Sequence, residues 1–171
     1  MNNTYNPSYD YMDFMYDAYK FNNISGQSKK VDFNAIKNQA ALMKEEGYVE
    51  MQEALDERDL VAVLDSTVDT LFVTLGMLQK LQNKGLDVLG AMKQVSEDNL
   101  SKYPTDIEVV KETSEMYKDK SVIISTSYDS DYNVYVIKNT NDKVMKPSGF
   151  VGTDLTKYVP SNLINDFKKG N

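Results

Sequence analysis

Residues 60–79 are almost wholly apolar or small, and their only charges, Asp65 and Asp69, stand one helical turn apart. The run is long enough to span a membrane. However, an aspartate at the centre of an inserted helix costs about 2.5–3.5 kcal/mol, and Thr67, Thr70 and Thr74 dilute the run further. The expectation is therefore a buried helix of a soluble, cytosolic protein. A carboxylate inside a helix core needs a partner, and the segment contains no lysine or arginine before Lys80. Just upstream, Glu46, Glu50 and Glu53 also repeat at helical spacing. Two facing helices, each offering carboxylates at i and i+4, describe a site for a hard divalent ion such as Mg²⁺ or Mn²⁺. The plainer alternative for the glutamates is a solvated face, because Glu45, Glu46, Glu50, Glu53, Asp56 and Glu57 make one acidic run.

The chain has neither histidine nor cysteine among its 171 residues. That excludes a Ser-His-Asp triad, a thiol nucleophile, a zinc finger, an iron–sulfur cluster and any disulfide. Acid–base work falls to carboxylates, lysine, tyrosine or water on a metal ion. A net charge of −7 argues against a nucleic-acid-binding surface. The length fits a single domain over 1–171 with a real core. Residues 1–6 have neither a basic region nor an apolar run, so no signal peptide is expected.

Periodicity predicts a mainly α chain with a small C-terminal β-hairpin. A first helix starts at Pro7 or Ser8, with Met12, Met15, Tyr16 and Tyr19 as its apolar stripe. A second runs from about 35 to 57 with Asn34 as candidate cap, and Gly47 inside it points to close packing or a local bend. The link at 56–59 is short enough to make the third helix, 60 to about 81, an antiparallel neighbour of the second. A fourth spans about 86–102, and Pro104 stops it. Thr105 and Glu108 resemble a capping box for a fifth, ending near Lys118. Beyond Lys120, residues 122–125 and 132–138 read as a hairpin around a turn at 129–131. Residues 153–159 form a last short helix or turn, and residues 168–171 fray. The helical core thus covers about 9–118, and the hairpin with its C-terminal loop about 120–160.

Two further groups of residues carry polar chemistry. Val95–Lys102 places Asn99, Ser101 and Lys102 at a helix end, where they suit phosphate or base contacts or serve simply as caps. Lys143 to Phe150 makes a basic loop with an aromatic, either a nucleotide clamp or an ordinary turn.

The run from Glu50 through Asp65-Ser-Thr-Val-Asp69 to Val73 resembles the core of MazG-like nucleotide pyrophosphohydrolases, particularly the phage-type branch grouped with phosphoribosyl-ATP pyrophosphohydrolase. That branch has a glutamate-rich helix, then an Asp-x-x-x-Asp helix running into an apolar stretch with a glycine, here Gly76. A Val-His-x-Ser-Asn-x-Ser-Lys element follows, resembled by Val95, Asn99, Ser101 and Lys102. Its tail is similar to Lys143-Val-Met-Lys146-Pro147 and Thr153-Asp154-Leu155. The likeness runs in order over about 32–159, with the region 106–138 enlarged. Departures are Gly47 where the family places a glutamate ligand, Ser96 at the histidine position, and Ser66 where many members have glutamate.

The resemblance implies an all-alpha NTP pyrophosphatase-like helical bundle, completed by a homodimer or homotetramer. It implies Mg²⁺-dependent cleavage of a nucleoside triphosphate to the monophosphate and pyrophosphate. Glu46, Glu50, Asp65 and Asp69 would hold the metal, and Glu53 would act as base or further ligand. Lys102, with Asn99, Ser101 and Lys146, would contact the substrate. No nucleic acid or membrane partner is implied, and the location is the cytoplasm, the host's where the chain is phage-encoded. Gly47 supports a competing expectation, a weakened relative that sequesters nucleotides or a protein partner. A third is a purely structural helical protein whose aspartates meet lysines of another subunit.

Overall fold

The computed structural model describes residues 8–169. The expectations for residues 1–6, for Pro7 and for the last two residues of the frayed tail lie outside the described residues. The chain divides into two compact units, Met1–Val88 with Tyr158–Asn171, and Leu89–Lys157.

In the first unit, α1 (Tyr11–Ile24) begins at Asp10. The Asp10 carboxylate accepts from the amides of Met12 and Asp13 at 2.7 and 3.1 Å. Asp13 returns the bond to the Asp10 amide at 3.0 Å, closing a capping box. The inward face carries Phe14, Ala18 and Asn22, whereas Met12 and Tyr16, expected on it, are exposed. Ala18 is 0 % exposed, and its small side chain lets α1 approach its neighbour closely. The next helix, α2 (Phe33–Lys44), is capped by Asp32, not by Asn34. It runs without a break into a π-helical turn, Glu45–Glu50, and then α3 (Met51–Glu57). Arg58 turns the chain in the left-handed region at φ 54°. Asp59 then caps α4 (Leu60–Asn83) by accepting from Val61 and Ala62.

Helices α1, α2 and α3 all pack on α4, and α3 is its antiparallel neighbour as the short link requires. The expectation that α4 is a buried helix is overturned. Only 17 % of its most apolar window is buried, and Leu60, Val61, Leu64, Val68 and Leu71 are exposed. The physical reason is that the packed helices cover one side, along Ser66, Leu75, Gly76, Gln79 and Lys80, while apolar residues encircle more than that side. Asp65 and Asp69 are exposed with the uncovered face.

A short helix that periodicity did not reveal, α7 (Ser161–Lys168), closes the first unit after a 3₁₀ turn at Thr156–Tyr158. It sets Phe167 against Phe33, ring centroids 5.1 Å apart.

The second unit contains α5 (Val88–Leu100) from Leu89 onward and α6 (Ile107–Asp119). Asp106, rather than Thr105, caps α6 by accepting from the Glu108 amide at 2.9 Å. Strands β1 (Ile124–Asp129) and β2 (Val134–Asn139) pair antiparallel, Ile124 opposite Asn139 and Asp129 opposite Val134. The hairpin packs on α6, with Val110, Thr113 and Ile137 buried. The chain is therefore mainly helical with one small hairpin, as expected.

Candidate functional site

The carboxylates meet where the π-helical turn lies along α4. A π turn inserts one residue into the helical ladder and is common at functional sites. Here it contains Gly47, and a Cβ at that position would stand 3.2 Å from Thr70 Cγ2 and 3.3 Å from Thr70 Oγ1. Thr70 is in turn held by its hydroxyl, which donates to Ser66 O at 2.7 Å. Ser66, 2 % exposed, donates its own hydroxyl to Glu46 O at 2.5 Å. The two helices are thus pinned together backbone to hydroxyl, and Gly47 gives the close packing that was one of the two expectations for it. Gly47→Glu should therefore destabilise the chain by about 1–3 kcal/mol through overpacking. Thermal unfolding checks this, and an unchanged or raised melting temperature would contradict it.

This contact brings Glu46, Glu50 and Asp69 together. Glu46 hydrogen-bonds Glu50, and one of its carboxylate oxygens, Oε2, is covered and has no hydrogen-bond partner among the described residues. Burial, then the charge and hydrogen bond of Glu50, then the charges of Asp69 and Glu45, push the Glu46 carboxyl above its ordinary value of 4.5. None of the ion pairs among the described residues reaches these three carboxylates. Asp65 lies one turn back along α4, and Glu53 one turn beyond Glu50 on α3. Both are exposed.

Among the described residues no group of three or more acidic side chains is placed so that it could hold a metal ion. Glu50 and Asp69 are exposed. The donor set is oxygen alone, one oxygen is orphaned, and no cation neutralises it. Such oxygen donors are of the chemical type that hard divalent ions take, without the arrangement of a formed site.

One turn from this cluster lies a cleft of about 670 Å³, whose walls include Phe21, Asn22, Lys30, Gln39, Leu42 and Phe72. Leu42 precedes Glu46 by four residues, and Phe72 follows Asp69 by three. Asn22 and Gln39 are 6 % and 7 % exposed. Periodicity marks them only as polar residues, so the sequence reading passed them over.

The remaining expected site residues belong to the second unit. The Asn99 side chain donates to Val95 O at 2.9 Å and accepts from Lys102 Nζ at 2.6 Å. Ser101 donates to Asp98 O at 2.8 Å. Of these bonds, the one from Ser101 satisfies a carbonyl in the last turn of α5. Lys146 Nζ lies 5.0 Å from the Phe150 ring centroid, and its carbonyl accepts from the Tyr117 hydroxyl at 3.0 Å.

Residues 13–99 match the family model described as phosphoribosyl-ATP pyrophosphohydrolase. No curated protein and no solved structure matches the chain. The matched span runs from α1 to the end of α5. It contains Glu46, Glu50, Asp65, Asp69 and the cleft, and stops before the hairpin.

Proposed function

Because the chain belongs to the phosphoribosyl-ATP pyrophosphohydrolase family, whose activity is hydrolysis of a nucleotide phosphoanhydride, we propose that it is a Mg²⁺-dependent nucleoside triphosphate pyrophosphohydrolase, releasing the monophosphate and pyrophosphate. The observation that carries this is the covered, unpartnered oxygen of Glu46 beside Glu50 and Asp69.

Glu46, Glu50, Asp65 and Asp69 would hold the metal. When bound, Mg²⁺ supplies positive charge to the phosphate oxygens and makes a nearby water more acidic. Glu46 is positioned through its backbone by Ser66, with the exposed Glu50 and Asp69 beside it. Glu46, in the π turn around Gly47 and within reach of the Asp69 charge, would stand in for the glutamate that the family places at position 47. Glu53, on the next turn of α3, is the base we assign to the attacking water.

The uncovered face of α4 supports assembly with a second copy. Leu60, Val61, Leu64, Val68 and Leu71 are exposed on one helix beside the two aspartates. Such a charge-poor stripe is self-complementary across a two-fold axis. We propose a homodimer or homotetramer in the cytoplasm, with this face as the contact. Leu64→Glu with Val68→Glu should give a monomer by sedimentation velocity, and a wild-type chain already monomeric at micromolar concentration would overturn the contact.

The catalytic proposal is tested by measuring pyrophosphate release from the canonical dNTPs and NTPs with and without Mg²⁺. Metal-dependent release of pyrophosphate supports it. Nucleotide binding without turnover would favour instead a relative that sequesters nucleotides.

A further inference from the structure

The cleft beside the carboxylate cluster is lined by two buried amides, each anchored through one of its two N–H groups. Asn22 Nδ2 donates to Ala18 O at 2.8 Å, and Gln39 Nε2 donates to Val73 O at 2.8 Å. Flipping either amide would set oxygen against a carbonyl oxygen, so these bonds fix both orientations. Neither side-chain oxygen accepts a hydrogen bond among the described residues, and neither is sealed off like the covered oxygen of Glu46. Both residues are more than nine-tenths buried and border the cleft.

Gly76 makes this arrangement possible. A Cβ there would stand 3.0 Å from Gln39 Nε2 and 3.2 Å from Asn22 Oδ1. The absence of a side chain on α4 thus admits amides from α1 and α2 to one spot. Phe21 and Phe72, edge to face with centroids 5.4 Å apart, supply aromatic surface on the same wall. A flat, hydrogen-bonding ligand suits such a site, since any nucleobase has a π-face that stacks favourably on an aromatic ring.

We propose that Asn22 and Gln39 are specificity-determining residues that accept hydrogen bonds from the exocyclic amino group of a nucleobase, so that the site selects adenine, cytosine or guanine nucleotides over their deaminated counterparts. This rests on the hydrolase reading for what lies on the far side of the ligand: a base in the cleft would direct its phosphates toward Glu46 and Asp69. An amino group gives its hydrogens to two oxygens at once. A carbonyl in its place, as in hypoxanthine or uracil, faces the amide oxygens with no hydrogen to offer. Sites built to hydrogen-bond a substrate group strongly reject analogues that lack it.

The test is calorimetric titration of the full chain with AMP, IMP, CMP and UMP in the presence of Mg²⁺. AMP should bind at least about tenfold more tightly than IMP, and CMP than UMP by the same factor. Gln39→Met, which keeps the length but removes the acceptor, should erase both differences. Gly76→Ala, crowding both amides, should reduce them. Equal affinities within each pair, a preference for IMP or UMP, or no binding of any of the four overturns the inference. The wild-type series decides the matter even if a variant fails to fold. Amino-base preference without pyrophosphate release would sink the hydrolase reading alone, and turnover of dITP and dUTP equal to that of dATP and dCTP would sink the selectivity alone.

Discussion

Asp69→Asn should cut Mg²⁺-dependent pyrophosphate release by about 10³-fold, the scale of losing a charge-stabilising group in an active site, while leaving the melting temperature of the metal-free chain unchanged or slightly raised. The two effects separate because Asp69 is exposed and makes no hydrogen bond or ion pair among the described residues. Its contribution to the fold is repulsion of Glu46. Removing that repulsion lets the Glu46 carboxyl fall back toward 4.5. The sign for pH follows from the same interaction. Glu46 is raised in the folded chain, so its contribution is full below the unfolded value of 4.5 and is lost as pH rises through the folded value. The metal-free protein should therefore lose stability across that window, and less of it in the asparagine variant. Mg²⁺ should restore stability above the window, by mass action on the folded state. Turnover by Asp69→Asn within tenfold of wild type, or a melting temperature indifferent to Mg²⁺, would remove the metal site from the account.

Lys80→Ala should destabilise the first unit by about 2–5 kcal/mol, the range for emptying a core position, measured by urea denaturation. Lys80 is 1 % exposed, and its ammonium donates to Gln27 O at 2.5 Å. Asn83 donates to Ser28 O at 2.8 Å and Lys84 to Val31 O at 3.1 Å. Three side chains at the end of α4 thus hold the segment that follows α1, which contributes Gln27 and Lys30 to the cleft wall. Lys80→Met should differ from wild type by less than about 1.5 kcal/mol, because methionine refills most of the volume and removes a charge that is costly to bury. Burial, reinforced by Lys30 and opposed by Asp32, lowers the Lys80 pKa below 10.5. A depressed lysine penalises the fold while it is protonated and ceases to do so as pH rises from its folded pKa toward 10.5. Wild type should accordingly gain on Lys80→Met over that window. A cost for Lys80→Ala below about 0.5 kcal/mol, the level of an ordinary surface change, would show that this residue is not holding the segment.

The helices with strong apolar periods were legible along the chain, as was the hairpin, where β-branched and aromatic residues replace the helical period. The π turn was not, although Gly47 in an acidic helix pointed to close packing at that place. Start positions were less so: Asp10, Asp32 and Asp106 cap the helices expected to begin at other residues. Several polar side chains near each helix start can bond the free amides, and only the path of the incoming chain selects one. Helix α7 was missed although Leu163, Ile164 and Phe167 lie at helical spacing. Eight residues give too few repeats for a period to stand out.

Sequence by itself determined that acidic side chains would recur at one-turn spacing on two consecutive, antiparallel helices, because side-chain direction along a helix is set by its geometry. Tertiary structure decided which of them meet: Glu46, Glu50 and Asp69 share one patch, and α4 leaves its apolar side open. It also decided that Asn22, Gln39 and Lys80 lie buried. Burial of a polar group depends on what crosses over it from elsewhere in the chain, and local spacing carries no record of that.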